Sequence, residues 1–334
     1  MLAEQEALEK NSVKVSMMKT AFITAPEKIE LKEIAIPKPG EDEVLIQLEG
    51  CGICASNLPV WEGREWFSYP QAAGTPGHEG WGKVAALGKN VKNLKLGDRV
   101  AALTYNAFAQ FDLAKAENVV KIPDELADMP FPGEPLGCAW NIFTRSDIKA
   151  GQTVAIIGIG FLGALLTQLV KNVGAKVIAL SRRKSSLEMA NKCGADETIV
   201  LDDHWKILEQ VKDLTKGAFC DRVIEATGKE WPLNLAGELT KIRGKLIIAG
   251  FHQDGLRQVN VQLWNWRGLD VINAHERDEE KYIEGMKSAV KAVKNGQLDP
   301  LPLFTHRFEF NDIEKAFKIH ASSPEGFMKA LLIY

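Results

Sequence analysis

A chain of 334 residues has room for two domains of ordinary size. Its 46% hydrophobic and 25% charged residues suit a soluble globular core, and a formal net charge of −3 excludes the basic footprint that nucleic acid or an anionic membrane would require. The longest apolar runs, "GKLIIAGF" and "TVAIIGIGFLGALLTQLV", are interrupted by Gly and Thr, so neither reads as a membrane span.

The first stretch, "MLAEQEALEKNSVKVS" at 1–16, lacks the apolar core of a secretion signal and is left out of the fold. "MMKTAFI", beginning at Met17 and Met18, reads as the natural start of the first strand. "KTAFITA", "IELKEIAI", "DEVLIQLEGCGIC" and "GWGKVAALG" are β-rich runs broken by Pro and Gly, and "LKLGDRVAAL" and "QFDLAKAENVVKIP" continue them. No helix of convincing length interrupts residues 18–135, which are expected to form a mainly antiparallel, partly open β-barrel domain. From about residue 134 the texture changes. The short buried strands "TVAIIG", "KVIALS", "ETIVLD", "DRVIEATG", "KLIIAGF" and "LDVINA" are separated by helix-period stretches such as "FLGALLTQLVKNVG" and "HWKILEQVKDLTKG". That alternation predicts βαβ units in a doubly wound parallel sheet over 136–278, and an α/β fold class. Residues 279–334 carry two amphipathic helices, "EEKYIEGMKSAVKAVKNG" and "FNDIEKAFKIHAS", and a last strand, "FMKALLIY". They are too few for a third core and are expected to return to the first domain. Cys51, Cys54, Cys138, Cys193 and Cys220 are odd in number and scattered, which argues for a reducing, cytoplasmic setting and against a disulfide framework.

Within "VAIIGIGFLGALLTQLV", Gly158, Gly160 and Gly163 have G-x-G-x-x-G spacing between a strand and a helix, the context of a dinucleotide site. Gly158 is expected to make the tight turn, Gly160 to admit the pyrophosphate, and Gly163 to let helix and strand approach. Phe161 and Leu162 then begin a helix whose N-terminal amides carry about half a positive charge toward the phosphates. At the tip of the next strand, "VIALSRRKSSLE" has Ser181, Arg182 and Arg183 in place of the carboxylate that would read an unmodified ribose. Guanidinium groups there suit a 2′-phosphate, so the expected cofactor is NADP(H). The competing reading is a solvated basic turn.

"GTPGHEGWGKV" sets His78 and Glu79 between Gly77 and Gly80. Upstream lies "EGCGICASNLPVWEG", and downstream "GEPLGCAWNIF" begins with Glu134. A thiolate, an imidazole and a carboxylate with an exchangeable fourth position are the donors of a catalytic zinc site. The glycines are expected to let the backbone turn His78 and Glu79 toward a shared metal. Cys51 and Cys54 also read as C-x-x-C, but no second such pair exists, and Cys51 is assigned to packing.

With these motifs in order, and with "LGDRV", "GIGFLG" and "DRVIEATG" between them, residues from about Lys19 to Tyr334 resemble the zinc-dependent medium-chain dehydrogenase/reductase superfamily of alcohol, polyol and threonine dehydrogenases. "GICASN" resembles its cysteine element and "GHEGWGKV" its GHE element. The resemblance implies a Rossmann dinucleotide-binding domain beside a GroES-like catalytic domain, with Cys54 and His78 as ligands to one zinc. It makes Glu79 a ligand or a close neighbour of the metal, and Ser56 the hydroxyl that relays the substrate proton. Glu134 starts E-P-L about two dozen residues before Gly158, where polyol-type members place a fourth donor; Cys138 is its competitor. His275 follows the last parallel strand, where the family's chain passes the nicotinamide, whereas His204, His252, His306 and His320 have no partner motif.

Two departures stand out. The four clustered cysteines of the family's structural zinc are missing after "GDRVAALTYNAF", so no structural zinc is expected. Pro59 stands where some members continue the proton relay with a His, which leaves water or Asn57 as the route. The implied activity is hydride transfer between NADP(H) and a small-molecule alcohol/carbonyl pair. Asn57, Trp61, Trp264 and His275 are candidates for the substrate pocket and favour a polyol or sugar-like alcohol. The alternatives are a zinc-free NADPH-dependent enone (quinone-type) reductase and a non-catalytic binding protein of this fold. Family analogy adds a homo-oligomer, a dimer before a tetramer, joined at the sheet edge "LDVINA".

Overall fold

The structure, a computed structural model, describes residues 16–253 and 255–334, so 1–15 of the stretch left out of the fold lie outside the described residues. In chain order the first part holds β1 (Met17–Ala25), β2 (Lys28–Ala35), β3 (Glu43–Ile53), a short α1 (Leu58–Glu62), β4 (Glu79–Leu87), β5 (Arg99–Ala102), β6 (Phe111–Lys115) and β7 (Val119–Lys121). Next come α2 (Gly133–Ser146), β8 (Thr153–Ile157), α3 (Phe161–Asn172), β9 (Lys176–Ser181), α4 (Lys184–Lys192), β10 (Glu197–Val200) and α5 (His204–Leu214). Then follow β11 (Cys220–Glu225), α6 (Glu230–Leu239), β12 (Thr240–Ile248), α7 (Val261–Arg267) and β13 (Asp270–Asn273). The chain closes with α8 (Glu279–Lys294), β14 (His306–Glu309), α9 (Ile313–Ser322) and β15 (Ala330–Ile333).

Strand β3 is the hub of the barrel sheet. It pairs antiparallel with β4, β6 and β15, while β5 extends the sheet from β4 and β7 extends it from β5. Val44, Ile46 and Leu48 of β3 are buried in the barrel core with Trp61, Phe108 and Phe317. One pairing departs from the antiparallel rule: β14 runs parallel to β15, because α9 carries the chain back across the sheet between them.

The second sheet is wholly parallel, in the order β10-β9-β8-β11-β12-β13. Strand order reverses between β8 and β11, which opens the crevice beyond their carboxyl ends where doubly wound sheets take ligands. The unbroken apolar run of β8 follows from burial on both faces. Val154 and Ile156 face one core, Ala155 and Ile157 the other, and all four are fully buried. β13 is the exception to the expected series of buried strands: it lies at the sheet edge, and Asp270, Val271 and Asn273 are exposed. No helix among the described residues is long and apolar enough to cross a membrane.

Candidate active site

Antiparallel pairing assembles the site. Gly52 near the exit of β3 lies opposite Glu79 at the start of β4, so Cys54, just past β3, meets His78, just before β4. On the other flank Ala330 of β15 lies opposite Ile53, which brings Lys329 to the same end of the sheet. One ligand atom from each of Cys54, His78 and Glu79 lies within 4.8 Å of the others. Glu134, expected as a fourth ligand, is buried in the first turn of α2 and interacts with His78 by charge, but it lies outside that group of mutually close donor atoms.

Asn57 braces the two metal-side loops. It is only 1% exposed; its Oδ1 accepts from the Cys54 backbone N–H at 2.8 Å, and its Nδ2 donates to Pro76 O at 3.0 Å. His78 Nδ1 lies 2.9 Å from the same carbonyl, which orients the ring and leaves Nε2 for another partner. Asn57 therefore holds the two loops together. Ser56 stands in the same turn and is half-buried. Gly77 and Gly80 serve differently from the turning role expected of them, since neither adopts a left-handed φ. A Cβ at Gly77 would stand 2.4 Å from Phe108 N, and one at Gly80 would stand 2.8 Å from Ala107 Cβ. Their role is to let residues 107–108 press close behind the His-Glu pair.

The charge balance of the pocket suits a cation. Glu79 is fully buried, and the Lys329 ammonium sits against both of its oxygens, with Nζ 2.6 Å from Oε1 and 2.5 Å from Oε2. Burial pulls Lys329 toward neutrality, but Glu79 and then Cys54 outweigh it and hold its pKa above the ordinary lysine value. Burial also works against a charged His78. Cys54, then Glu134 and Glu79, overcome it and push the imidazole up to about 10. Burial raises the Glu134 carboxyl, against the pull of His78, and Tyr282 donates its hydroxyl to Glu134 Oε1. The Cys54 sulfur and the Glu79 and Glu134 carboxyls thus surround Lys329 and the His78 imidazole and favour positive charge there. A divalent cation would supply that charge, and sulfur, nitrogen and oxygen donors are those zinc takes. The residues fit a zinc ion.

Lys329 also joins this cluster to the glycine loop, with Nζ 5.0 Å from the centroid of the Phe161 ring at the start of α3. Gly158 has φ 99°, and a Cβ there would meet Thr227 Cγ2 at 2.6 Å; one at Gly163 would stand 2.1 Å from Gly158 O, while the space at Gly160 is open. The side chain of Phe161 packs inward against Phe304, so this residue and Leu162 offer only first-turn amides. Ser181, at the end of β9, is buried. Arg182 is exposed, whereas Arg183 Nη1 donates to Ser323 O at 3.2 Å and Pro324 O at 3.1 Å. Glu225, buried at the end of β11, accepts from the Thr227 and Gly228 amides and from His252 Nε2 at 2.7 Å.

Several residues lie elsewhere than expected. Trp61, a pocket candidate, is 4% exposed against Phe317, and Trp264 packs against Gly237 of α6. Cys51 is fully buried, in line with packing. His275 Nε2 lies 3.3 Å from Gly250 O, and burial lowers its pKa. The sequence reading missed Lys329 and Tyr282. Lys329 becomes visible only through the register of β15 on β3, and Tyr282 only through the contact of α8 with α2.

The chain matches the alcohol dehydrogenase GroES-like domain over residues 40–124 and the zinc-binding dehydrogenase family over 162–291. It is 30% identical to L-threonine 3-dehydrogenase of Bacillus velezensis, over 91% of this chain and 94% of the relative. It is 27% identical to erythritol/L-threitol dehydrogenase of Mycolicibacterium smegmatis, over 94% of this chain and 97% of the relative. A Sinorhizobium meliloti protein described as a zinc-binding dehydrogenase and bound to NADP superposes with a TM-score of 0.83 at 25% identity, covering 96% of this chain and all of its own. An Escherichia coli alcohol dehydrogenase complexed with NADH, 24% identical, superposes with a TM-score of 0.85 over 96% of this chain and all of its own, and shows the shared fold. The chain belongs to the zinc-type medium-chain dehydrogenase superfamily, as an oxidoreductase of the alcohol and polyol dehydrogenase kind.

Proposed function

We propose that the protein is a zinc- and NADP(H)-dependent oxidoreductase interconverting a small polyol or sugar-like alcohol and its carbonyl. The observation that carries this reading is the abutment of the Cys54–His78–Glu79 cluster and the glycine-loop helix, with Lys329 touching both. Cys54, His78 and Glu79 would hold one zinc, with Glu134 as a fourth, exchangeable donor. Bound zinc supplies Lewis acidity at the substrate oxygen, and bound nicotinamide supplies the hydride acceptor or donor. Ser56 Oγ, two residues past Cys54, takes the alcohol proton and passes it outward to water. Relatives named for erythritol, threitol and sorbitol support a polyol-like substrate. The domain division at 18–135, 136–278 and 279–334 is supported by the separate parallel sheet and by the pairing of β15 with β3. Five free cysteines support a reducing, cytoplasmic setting.

A screen of polyols, sugar alcohols and their carbonyls with NADP(H) and NAD(H), before and after chelation of the metal, tests this function. Turnover is expected with at least one polar alcohol, at about one zinc per chain, and its loss on chelation. Undiminished turnover by stripped protein would hand the site to a zinc-free enone reductase.

For the cofactor, Gly158, Gly160, Phe161, Leu162 and Gly163 would hold the pyrophosphate, and Ser181, Arg182 and Arg183 the 2′-phosphate. Arg183 already holds the carbonyls of residues 323 and 324, so Arg182 is assigned the larger share. Arg182→Ala is expected to weaken NADPH binding by about tenfold to a hundredfold, the equivalent of about 1.5 to 3 kcal/mol, while sparing NADH. Titration of both cofactors checks this, and an unchanged NADPH/NADH ratio in Arg182→Ala and Arg183→Ala alike would mark the turn as solvated surface.

The exposed edge β13, with Val271 and the neighbouring Trp266 open to solvent, supports a homodimer in which two such edges pair. Light scattering at working concentration is expected to give twice the chain mass, and a monomer would end this assignment.

A further inference from the structure

Tyr282 lies in the first turn of α8, and its hydroxyl nonetheless reaches Glu134 in the first turn of α2. Missing side chains bring the two helices together. A Cβ at Gly137 would stand 2.6 Å from Met286 Cγ and 2.8 Å from Met286 N, and one at Gly285 would stand 2.3 Å from Asn141 Oδ1. Asn141 Nδ2 donates to Lys281 O at 3.3 Å across the same seam. Gly285 lies one turn after Tyr282, and Gly137 lies one turn after Glu134. The close approach at the glycines therefore sets the hydroxyl against the carboxylate, since residues three apart share a helix face. The Cys138 thiol, four residues after Glu134 on α2, interacts with the same hydroxyl.

We infer that Tyr282 is a positioning residue for the metal site: its hydroxyl holds Oε1 of Glu134 and leaves Oε2 as the oxygen offered to the cation. This rests on the reading that Cys54, His78 and Glu79 bind a metal and that Glu134 is its fourth donor. A carboxylate with both oxygens free can rotate or bind through either, whereas one tied to a buried donor presents a single oxygen in one orientation. Partners that orient a ligand in this way are worth about tenfold to a hundredfold in metal affinity.

The test uses the full chain loaded with Co²⁺, whose visible spectrum reports the donors around it. The wild type is expected to take up one Co²⁺ per chain with a thiolate charge-transfer band. In Tyr282→Phe, which keeps the ring in the α2–α8 seam, the d–d bands should shift and release to a chelator should quicken by about tenfold. Glu134→Gln should change both readouts in the same sense, and Tyr282→Phe added to Glu134→Gln should add little, as two members of one contact behave. Loss of packing alone would leave the cobalt bands in place. A wild-type spectrum and release rate in Tyr282→Phe overturn the inference, whatever Glu134→Gln does. A wild type that binds Co²⁺ with no thiolate band overturns the underlying metal reading instead.

Discussion

Cys54→Ser is expected to abolish both bound zinc and turnover while leaving NADPH binding largely intact. The Cys54 sulfur belongs to the same donor cluster as His78 and Glu79 and is the softest ligand offered to the metal. A serine hydroxyl stays protonated at neutral pH and binds zinc poorly, so the metal is lost with the sulfur. Lewis-acid stabilisation of the transition state is worth several kcal/mol, and each 1.36 kcal/mol is a factor of ten, so turnover should fall by roughly a thousandfold or more. The dinucleotide elements lie on the other sheet, past β8 and β9, and do not depend on the Cys54 side chain. Elemental analysis, initial rates and a fluorescence titration with NADPH check the three parts separately. A variant that keeps zinc and rate together would remove Cys54 from the metal site.

Lys329→Met is expected to produce the largest loss of stability of any single change at the site. Lys329 is 3% exposed and Glu79 0% exposed, and the two form a buried ion pair. Methionine fills the space of the lysine stem but leaves the Glu79 carboxylate without its cation. Breaking a buried pair from one side costs about 3 to 5 kcal/mol, which for a chain of this length lowers the melting temperature by about 4 to 7 °C. The raised pKa of Lys329 means that its contribution is present throughout the range below the ordinary lysine value and fades only as pH climbs through the folded value. Two comparisons separate charge from packing in thermal denaturation. Glu79→Gln combined with Lys329→Met should recover most of the deficit, and added zinc should narrow it, because a divalent cation beside Glu79 supplies the missing positive charge. If the double variant is no more stable than Lys329→Met alone, the effect is packing and the electrostatic account fails.

Much of the molecule is written locally. The apolar run of β8 requires burial on both faces, and the Gly158–Gly163 spacing between strand and helix requires a turn of one kind, so the doubly wound sheet was legible residue by residue. Cys54, His78, Glu79 and Glu134 were legible as metal-competent side chains in ordered motifs, because donor chemistry belongs to the residue itself. Relations between distant segments were not legible. The Lys329–Glu79 pair depends on β15 lying beside β3 in one register, and a shift of one residue would point the lysine to the opposite face. Tyr282 reaches Glu134 only because glycines let α8 settle against α2, and Gly77 is there to admit the backbone of residue 108. Arg182 and Arg183 read alike in the sequence, and only the return of residues 323–324 onto Arg183 distinguishes them. The sequence by itself determined which chemical groups the protein carries and the strand and helix rhythm that bears them. The tertiary structure decided which of those groups meet, because hydrogen-bond register and close backbone approach act between segments far apart in the chain, 250 residues at Glu79 and Lys329.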